Sequence, residues 1–167
     1  AKPVETTPMF KDFSAAIAHT HFEENFDDYA RQSLLPFKLS QLGPGVAWDD
    51  LDGDGHDDLI VGSGRGGAPA FFRGDGRGGF SKMEPPAGLV LPDDSTGIVG
   101  WTPAPGRRAL LIGVASYEVT NHPAVMQIDA VNGALKTGAS LPKMISSTGP
   151  LAVADMDGDG DLDLFIG

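Results

Sequence analysis

Apolar residues recur along the chain in short runs punctuated by glycine, proline and acidic residues. That pattern predicts many short strands rather than long helices. Val46-Ala47-Trp48, Asp58 to Val61, Ala70-Phe71-Phe72 and a short run at Phe80 give four predicted strands. Ile98 to Trp101, Ala109 to Val114, Val125 to Ile128 and a weaker Ala134 to Lys136 give four more. Asn132-Gly133 marks a hairpin between the last two, because both residues accept the positive φ of a tight turn. Residues 1–42 stand apart as a leader. Its Phe10, Phe13, Ile17, Phe22 and Phe26 predict an apolar face packed on the strands, with a short helix near Ser14 to Ala18.

The runs belong to a repeat. GVAWDDLDGDGHDDLIVG, Gly45 to Gly62, returns as PLAVADMDGDGDLDLFIG, Pro150 to Gly167. A third copy, TGIVGWTPAPGRRALLIG from Thr96 to Gly113, keeps the apolar start and the closing glycine but replaces the aspartates with Pro, Gly and Arg. The closing glycines, Gly62, Gly113 and Gly167, stand roughly fifty residues apart, the period of a propeller blade rather than of a helical repeat. The expected fold is therefore all-β. The region 43–167 divides into units at about 43–92, 93–146 and an incomplete 147–167, about two and a half blades of a partial propeller. Propellers close with four or more blades. The remaining blades are therefore expected from a longer chain or from another chain. Trp48 and Trp101, at nearly equivalent places, read as core between blades.

The acidic segment inside the repeat carries the chemistry. With Asp50 as position 1, carboxylates fall at positions 1, 3, 5 and 9: Asp50, Asp52, Asp54 and Asp58. The second copy supplies Asp155, Asp157, Asp159 and Asp163. Hard divalent cations take oxygen ligands, and Ca²⁺ accepts six to eight in flexible geometry. Alternate residues converge on one centre if the backbone curls, and Gly53, Gly55, Gly158 and Gly160 permit the curl. Position 7 need lend only a backbone carbonyl, so His56 and Asp161 both serve there. Asp49 and Asp57 are expected to lie outside the ligand set. Two Ca²⁺ sites follow as the expectation. A solvated acidic turn is the plain competing reading, and the second copy argues against it. An EF-hand also begins this way but needs an acidic position 12 and flanking helices. Position 12 is Val61 or Ile166, so that reading fails.

These residues resemble the FG-GAP/VCBS repeats of integrin-α-like propellers and of many secreted bacterial proteins. The shared pattern, DxDGDGxxDLxxG, runs from Asp50 to Gly62 and from Asp155 to Gly167. The leader from His21 to Gly45 is similar to the segment before the first repeat in bacterial ASPIC/UnbV, cartilage-acidic-protein-like proteins. The resemblance implies a Ca²⁺-binding loop between the first two strands of a blade. It implies none around Pro103 to Arg108, where the middle copy departs from the pattern.

Charge narrows the partners. Asp and Glu number 23 against 12 Lys and Arg, a formal charge of -11. That excess argues against nucleic acid and anionic membranes and toward cations or basic surfaces. No apolar run approaches a membrane span, and AKPVETTPMF lacks the layout of a signal peptide. With no cysteine there are no disulfides and no thiolate metal sites.

Weaker motifs have plainer readings. Arg73-Gly74-Asp75 spells an adhesion tripeptide but sits in a glycine-rich hairpin that demands such residues for backbone reasons. Ser63 to Gly67 lacks the Lys-Ser/Thr of a phosphate loop. His19, His21 and Glu23 share one face of an extended chain and offer a transition-metal chelate, against the simpler reading of a polar edge.

The expected function is a non-enzymatic, Ca²⁺-stabilised binding or scaffold module, extracellular, at the cell surface or periplasmic, meeting a protein partner or the remaining blades. The alternative is a fragment of an enzyme whose centre lies in missing blades or in the His19/His21 leader.

Overall fold

Strands form where the apolar runs lie, and each pairs with its neighbour in sequence. The computed structural model describes residues 8–167, so residues 1–7 of the expected leader lie outside the described residues. β1 (Val46–Asp49), β2 (Asp58–Val61), β3 (Ala70–Gly74) and β4 (Phe80–Met83) make one antiparallel sheet in the order 1-2-3-4. A second sheet repeats that order with β5 (Ser95–Ala104), β6 (Arg107–Val114), β7 (Val125–Val131) and β8 (Ala134–Leu141). β9 (Leu151–Ala154) and β10 (Asp163–Ile166) form a separate antiparallel pair. The chain is thus all-β, and among the described residues short helical turns occur only at Ser14–Ala16 and at α1 (Asp28–Arg31). Among the described residues no helix is long and apolar enough to cross a membrane.

Side-chain alternation divides the first sheet between two cores. Ile60 and Phe71 point into the main core with Leu51, Leu91, Leu110, Ile112 and Ile128, which joins the two sheets. Leu59, Val61, Ala70 and Phe72 face the other way, under Ile17 and Phe80. Register repeats as the sequence does: Val46 pairs with Val61 and Asp49 with Asp58, while Leu151 pairs with Ile166 and Ala154 with Asp163. The closing glycines are required by packing. A Cβ on Gly62 would collide with the Ser95 side chain, and one on Gly113 would crowd Thr96 and Thr148.

Several strands run past the expected limits, β5 and β8 the furthest. β5 extends to Ala104 through Pro103, which cannot donate to a ladder. A register shift between Trp101 and Ala104 accommodates it. β8 runs to Leu141 after the predicted hairpin, where Asn132 and Gly133 take φ of 52° and 75° as a type I′ turn requires.

The leader corrects an expectation. Phe10 is 85% exposed, and Phe13 and Phe22 are also exposed, so its aromatic residues do not form one buried face. Ile17 covers the smaller core and Phe26 meets Tyr117 edge-on. Polar contacts add to these, both within the leader and to the sheets. Asp27 caps α1 by accepting from the Tyr29 and Ala30 amides. The fully buried Asp28 accepts the Leu39 amide at 2.7 Å, the Ser40 amide at 3.0 Å and the Ser40 hydroxyl. Gln41 donates its amide to Asp94 and its side chain to the Glu24 carbonyl. Trp48 also departs from expectation: it is 56% exposed and tilts against Phe80, because the outward positions of β1 carry Val46 and Trp48.

Candidate metal centres

Each acidic loop spans a strand hairpin, β1–β2 in the first copy and β9–β10 in the second. The loops share most of their hydrogen bonds, although the Asp54 amide also donates to Asp50 at 3.1 Å in the first. Asp50 accepts the Gly53 amide at 2.8 Å and the Gly55 amide at 3.1 Å. Asp155 accepts those of Gly158 and Gly160 at 2.7 and 3.0 Å. Asp52 accepts from the Asp54 amide and Asp157 from the Asp159 amide, both at 3.2 Å. Asp54 accepts from the His56 amide and Asp159 from the Asp161 amide. The curl runs through positive φ at Gly53 and Gly55 (80° and 88°) and at Gly158 and Gly160 (78° and 94°), a region that costs glycine nothing.

This backbone turns alternate carboxylates inward. Asp50, Asp52 and Asp54 bring one oxygen each to within 4.8 Å of one another, and Asp155, Asp157 and Asp163 do the same. Ligands on opposite sides of a Ca²⁺ ion with bonds of about 2.3–2.6 Å stand at most roughly 5 Å apart. Both trios therefore fit a single divalent cation.

The ninth position differs between the loops. Asp58 lies outside the first trio, fully buried beneath the loop, accepting the Leu51 amide at 3.1 Å and the Gly74 amide at 3.0 Å. Asp163 keeps the equivalent bond, from the Met156 amide at 3.0 Å, and joins the second trio. Asp159 lies outside that second trio, while His56 and Asp161 are exposed on their loops.

Electrostatics distinguishes the copies further. Arg73 on β3 sets its Nε 2.5 Å from Asp52 Oδ2, and Arg108 on β6 sets its Nη2 3.3 Å from Asp50 Oδ2. No ion pair of this kind occurs at the second loop among the described residues. Burial pushes the Asp49 carboxyl up, with Arg108 opposing and Asp50 and Asp57 adding to it. Burial likewise pushes Asp58 up against the Gly74 and Leu51 hydrogen bonds, with Asp52 and Asp54 reinforcing the rise.

The adhesion-like tripeptide is structural. Arg73 is committed to Asp52, and a Cβ on Gly74 would strike the Asp57 carbonyl. Asp75 staples the β3–β4 turn by accepting from the Arg77 and Gly79 amides, each at 2.8 Å. In the leader, His19 meets Phe72 edge-on, and burial, then His21 and Lys82, hold its pKa down. His21 pairs with Glu23, Nε2 to Oε2 at 3.1 Å.

One acidic cluster escapes sequence reasoning: Glu23, Asp94 and Glu118 also converge within 4.8 Å. They come from the leader, the residue before β5 and the loop after β6, so no local spacing announces them. The only hint is the Asp93-Asp94 pair at the head of an apolar strand, where both side chains are buried. Compared with family models, with characterised proteins and with solved structures, the chain matches none.

Proposed function

We propose that the chain is a Ca²⁺-stabilised, non-catalytic binding or scaffold module of propeller-blade type, working outside the cytoplasm. The observation that carries this reading is the duplication of the acidic loop, with its glycine-amide hydrogen bonds to the first aspartate, each copy converging three carboxylates at a strand hairpin. Asp50, Asp52 and Asp54 would hold one ion and Asp155, Asp157 and Asp163 the other. Bound Ca²⁺ would supply positive charge where the loops concentrate negative charge, and so fix the turn between paired strands. Carboxylates so engaged are not free for acid–base chemistry.

The blade reading draws support from the meander order of both four-stranded sheets. It also draws on the contacts of β1 with β5 and of β5 with β9, which set the first strand of each unit beside the first strand of the next. FG-GAP-type repeats share that arrangement of inner strands and loop. Exposed faces of such a module would serve a protein partner or further blades.

The test is thermal melting with EDTA and with Ca²⁺. Ligand at a hundred times its Kd stabilises by about 2.7 kcal/mol per site. Millimolar Ca²⁺ is expected to raise the melting temperature and EDTA to lower it. An unchanged melt in both would remove the structural-metal reading.

A further inference from the structure

The leader meets the two sheets at a group of carboxylates that is more deeply buried than either acidic loop and is unequally satisfied. Asp94 uses both oxygens on backbone amides, those of Gln41 at 2.9 Å and Arg65 at 3.2 Å. Glu23 turns Oε2 to His21 and leaves Oε1 buried with no hydrogen-bond partner among the described residues. The Glu118 side chain is 0% exposed, and neither of its oxygens accepts a hydrogen bond from the described residues. Arg65 Nε stands 2.7 Å from Glu118 Oε2 but off the line a hydrogen bond needs, while its Nη2 is turned to Glu24 at 3.1 Å.

The charges do not balance. Among the described residues, Glu23, Glu24, Asp94 and Glu118 gather around one guanidinium, that of Arg65, which pairs with Glu24 and Glu118. Asp93 adds a fifth carboxylate nearby, engaged by the Glu118 and Val119 amides at 2.9 Å and facing His122 at 3.9 Å. A buried carboxylate without hydrogen bonds or a matched charge is costly, and proteins resolve that cost with a partner, a proton or a metal. Burial and Asp94 push the Glu118 carboxyl up to about 7, with Arg65 opposing. Local packing holds the arrangement open. Gly64 lies directly beneath the Glu23 carboxylate, where any Cβ would collide with it, and the Gly64 amide donates to the Phe22 carbonyl at 3.1 Å.

We propose that Glu23, Asp94 and Glu118 hold a divalent cation of the oxygen-preferring class, Ca²⁺ or Mn²⁺, which clamps the leader to the head of β5 and to the loop after β6. The spread of their oxygens, within 4.8 Å, matches the span of one such ion. This site is independent of the two acidic loops and does not rest on their binding Ca²⁺.

Equilibrium dialysis of the whole chain against Mn²⁺, with bound metal counted by mass spectrometry, tests the proposal. A loop-disabled background, Asp52→Asn with Asp157→Asn, isolates the site. That background is expected to retain one equivalent, and adding Glu23→Gln or Glu118→Gln is expected to abolish it. Gly64→Ala, which displaces Glu23 without changing charge, is expected to weaken it about tenfold, equivalent to about 1.4 kcal/mol. Circular dichroism confirms folding. If Glu118→Gln does not fold, the more accessible Glu23→Gln and Gly64→Ala carry the test. Retention of the bound equivalent, at unchanged affinity, in folded Glu23→Gln and Gly64→Ala overturns the proposal. So does an absence of bound Mn²⁺ and Ca²⁺ in the folded background at pH 8. Failure of the loops alone would leave this equivalent in place in the wild type, so the two readings fail separately.

Discussion

Arg108 Nη2 lies 3.3 Å from Asp50 Oδ2, so the repeat that lacks an acidic ladder lends an arginine to the loop that has one. Arg73 makes the companion pair with Asp52 from within the same sheet. Both guanidinium groups are about two-fifths exposed, and pairs of that kind are worth on the order of 1 kcal/mol or less. A divalent cation in the first loop competes with them for the same oxygens. The double variant Arg73→Ala, Arg108→Ala is therefore expected to bind Ca²⁺ at the first loop roughly fivefold to tenfold more tightly, the range that about 1–1.4 kcal/mol allows. The second loop should be unaffected. Calorimetric titration of a variant with the second loop disabled measures this, and an unchanged or weaker first-loop affinity would show that the arginines do not compete.

The ninth-position aspartates should separate by burial. Asp58→Ala leaves the Leu51 and Gly74 amides without their acceptor in a fully buried setting. Each unsatisfied buried donor costs about 1–3 kcal/mol, so a loss on the order of 2–4 kcal/mol is expected in urea unfolding without metal. Asp163→Ala removes an exposed residue with one such bond and is expected to cost no more than about 1 kcal/mol. Equal losses would contradict the assignment of Asp58 to the floor of the loop.

Gly74 gives a sharper steric test. A methyl group there meets the Asp57 carbonyl, a backbone atom that cannot swing aside. Gly74→Ala is expected to destabilise by about 1–3 kcal/mol, the range for overpacking, and to disturb the Asp58 hydrogen bond with it. Gly78→Ala, where a Cβ meets open space but φ is +88°, should cost only about 1 kcal/mol, the price of left-handed backbone. Melting curves of the two variants distinguish packing from conformation. A Gly74→Ala protein as stable as wild type would return the Arg73-Gly74-Asp75 segment to consideration as a displayed tripeptide.

How much of this was legible in the sequence depends on the range of the interaction. The limits of β2, the starts of β1, β3, β4, β7 and β8 and the end of β6 follow from local apolar runs and turn residues, and they agree with the observed strands. The glycine positions of the loop were legible for the same reason, since backbone curl is a property of neighbouring residues. The leader was misread because Phe10, Phe13 and Phe22 look like an apolar face, whereas its contacts with the sheets include single polar residues such as Gln41, whose amide donates to Asp94 fifty-three positions on. The Glu23, Asp94 and Glu118 group was beyond reach entirely. Three isolated acids become a cluster only once leader and sheets are assembled.

Asp28 supplies a pH dependence of known sign. Its burial pushes the carboxyl up, but hydrogen bonds from Ser40 and the Leu39 and Ser40 amides outweigh it and draw the pKa from 3.8 down to about 2. A carboxyl whose folded pKa lies below its unfolded value stabilises the native state above the unfolded value and loses that contribution as protons bind. The contribution of Asp28 is thus complete above about pH 4 and fades between there and about pH 2. Other carboxylates titrate in the same window, so the informative quantity is the difference between wild type and Asp28→Asn. That difference is expected to be constant above pH 4 and to shrink as pH falls toward 2. Because Asp28 holds the segment at Leu39 and Ser40, the amides of those residues should exchange with solvent faster in Asp28→Asn while β2 and β6 stay protected. Uniform loss of protection across both sheets would mean that Asp28 secures the whole fold rather than the leader.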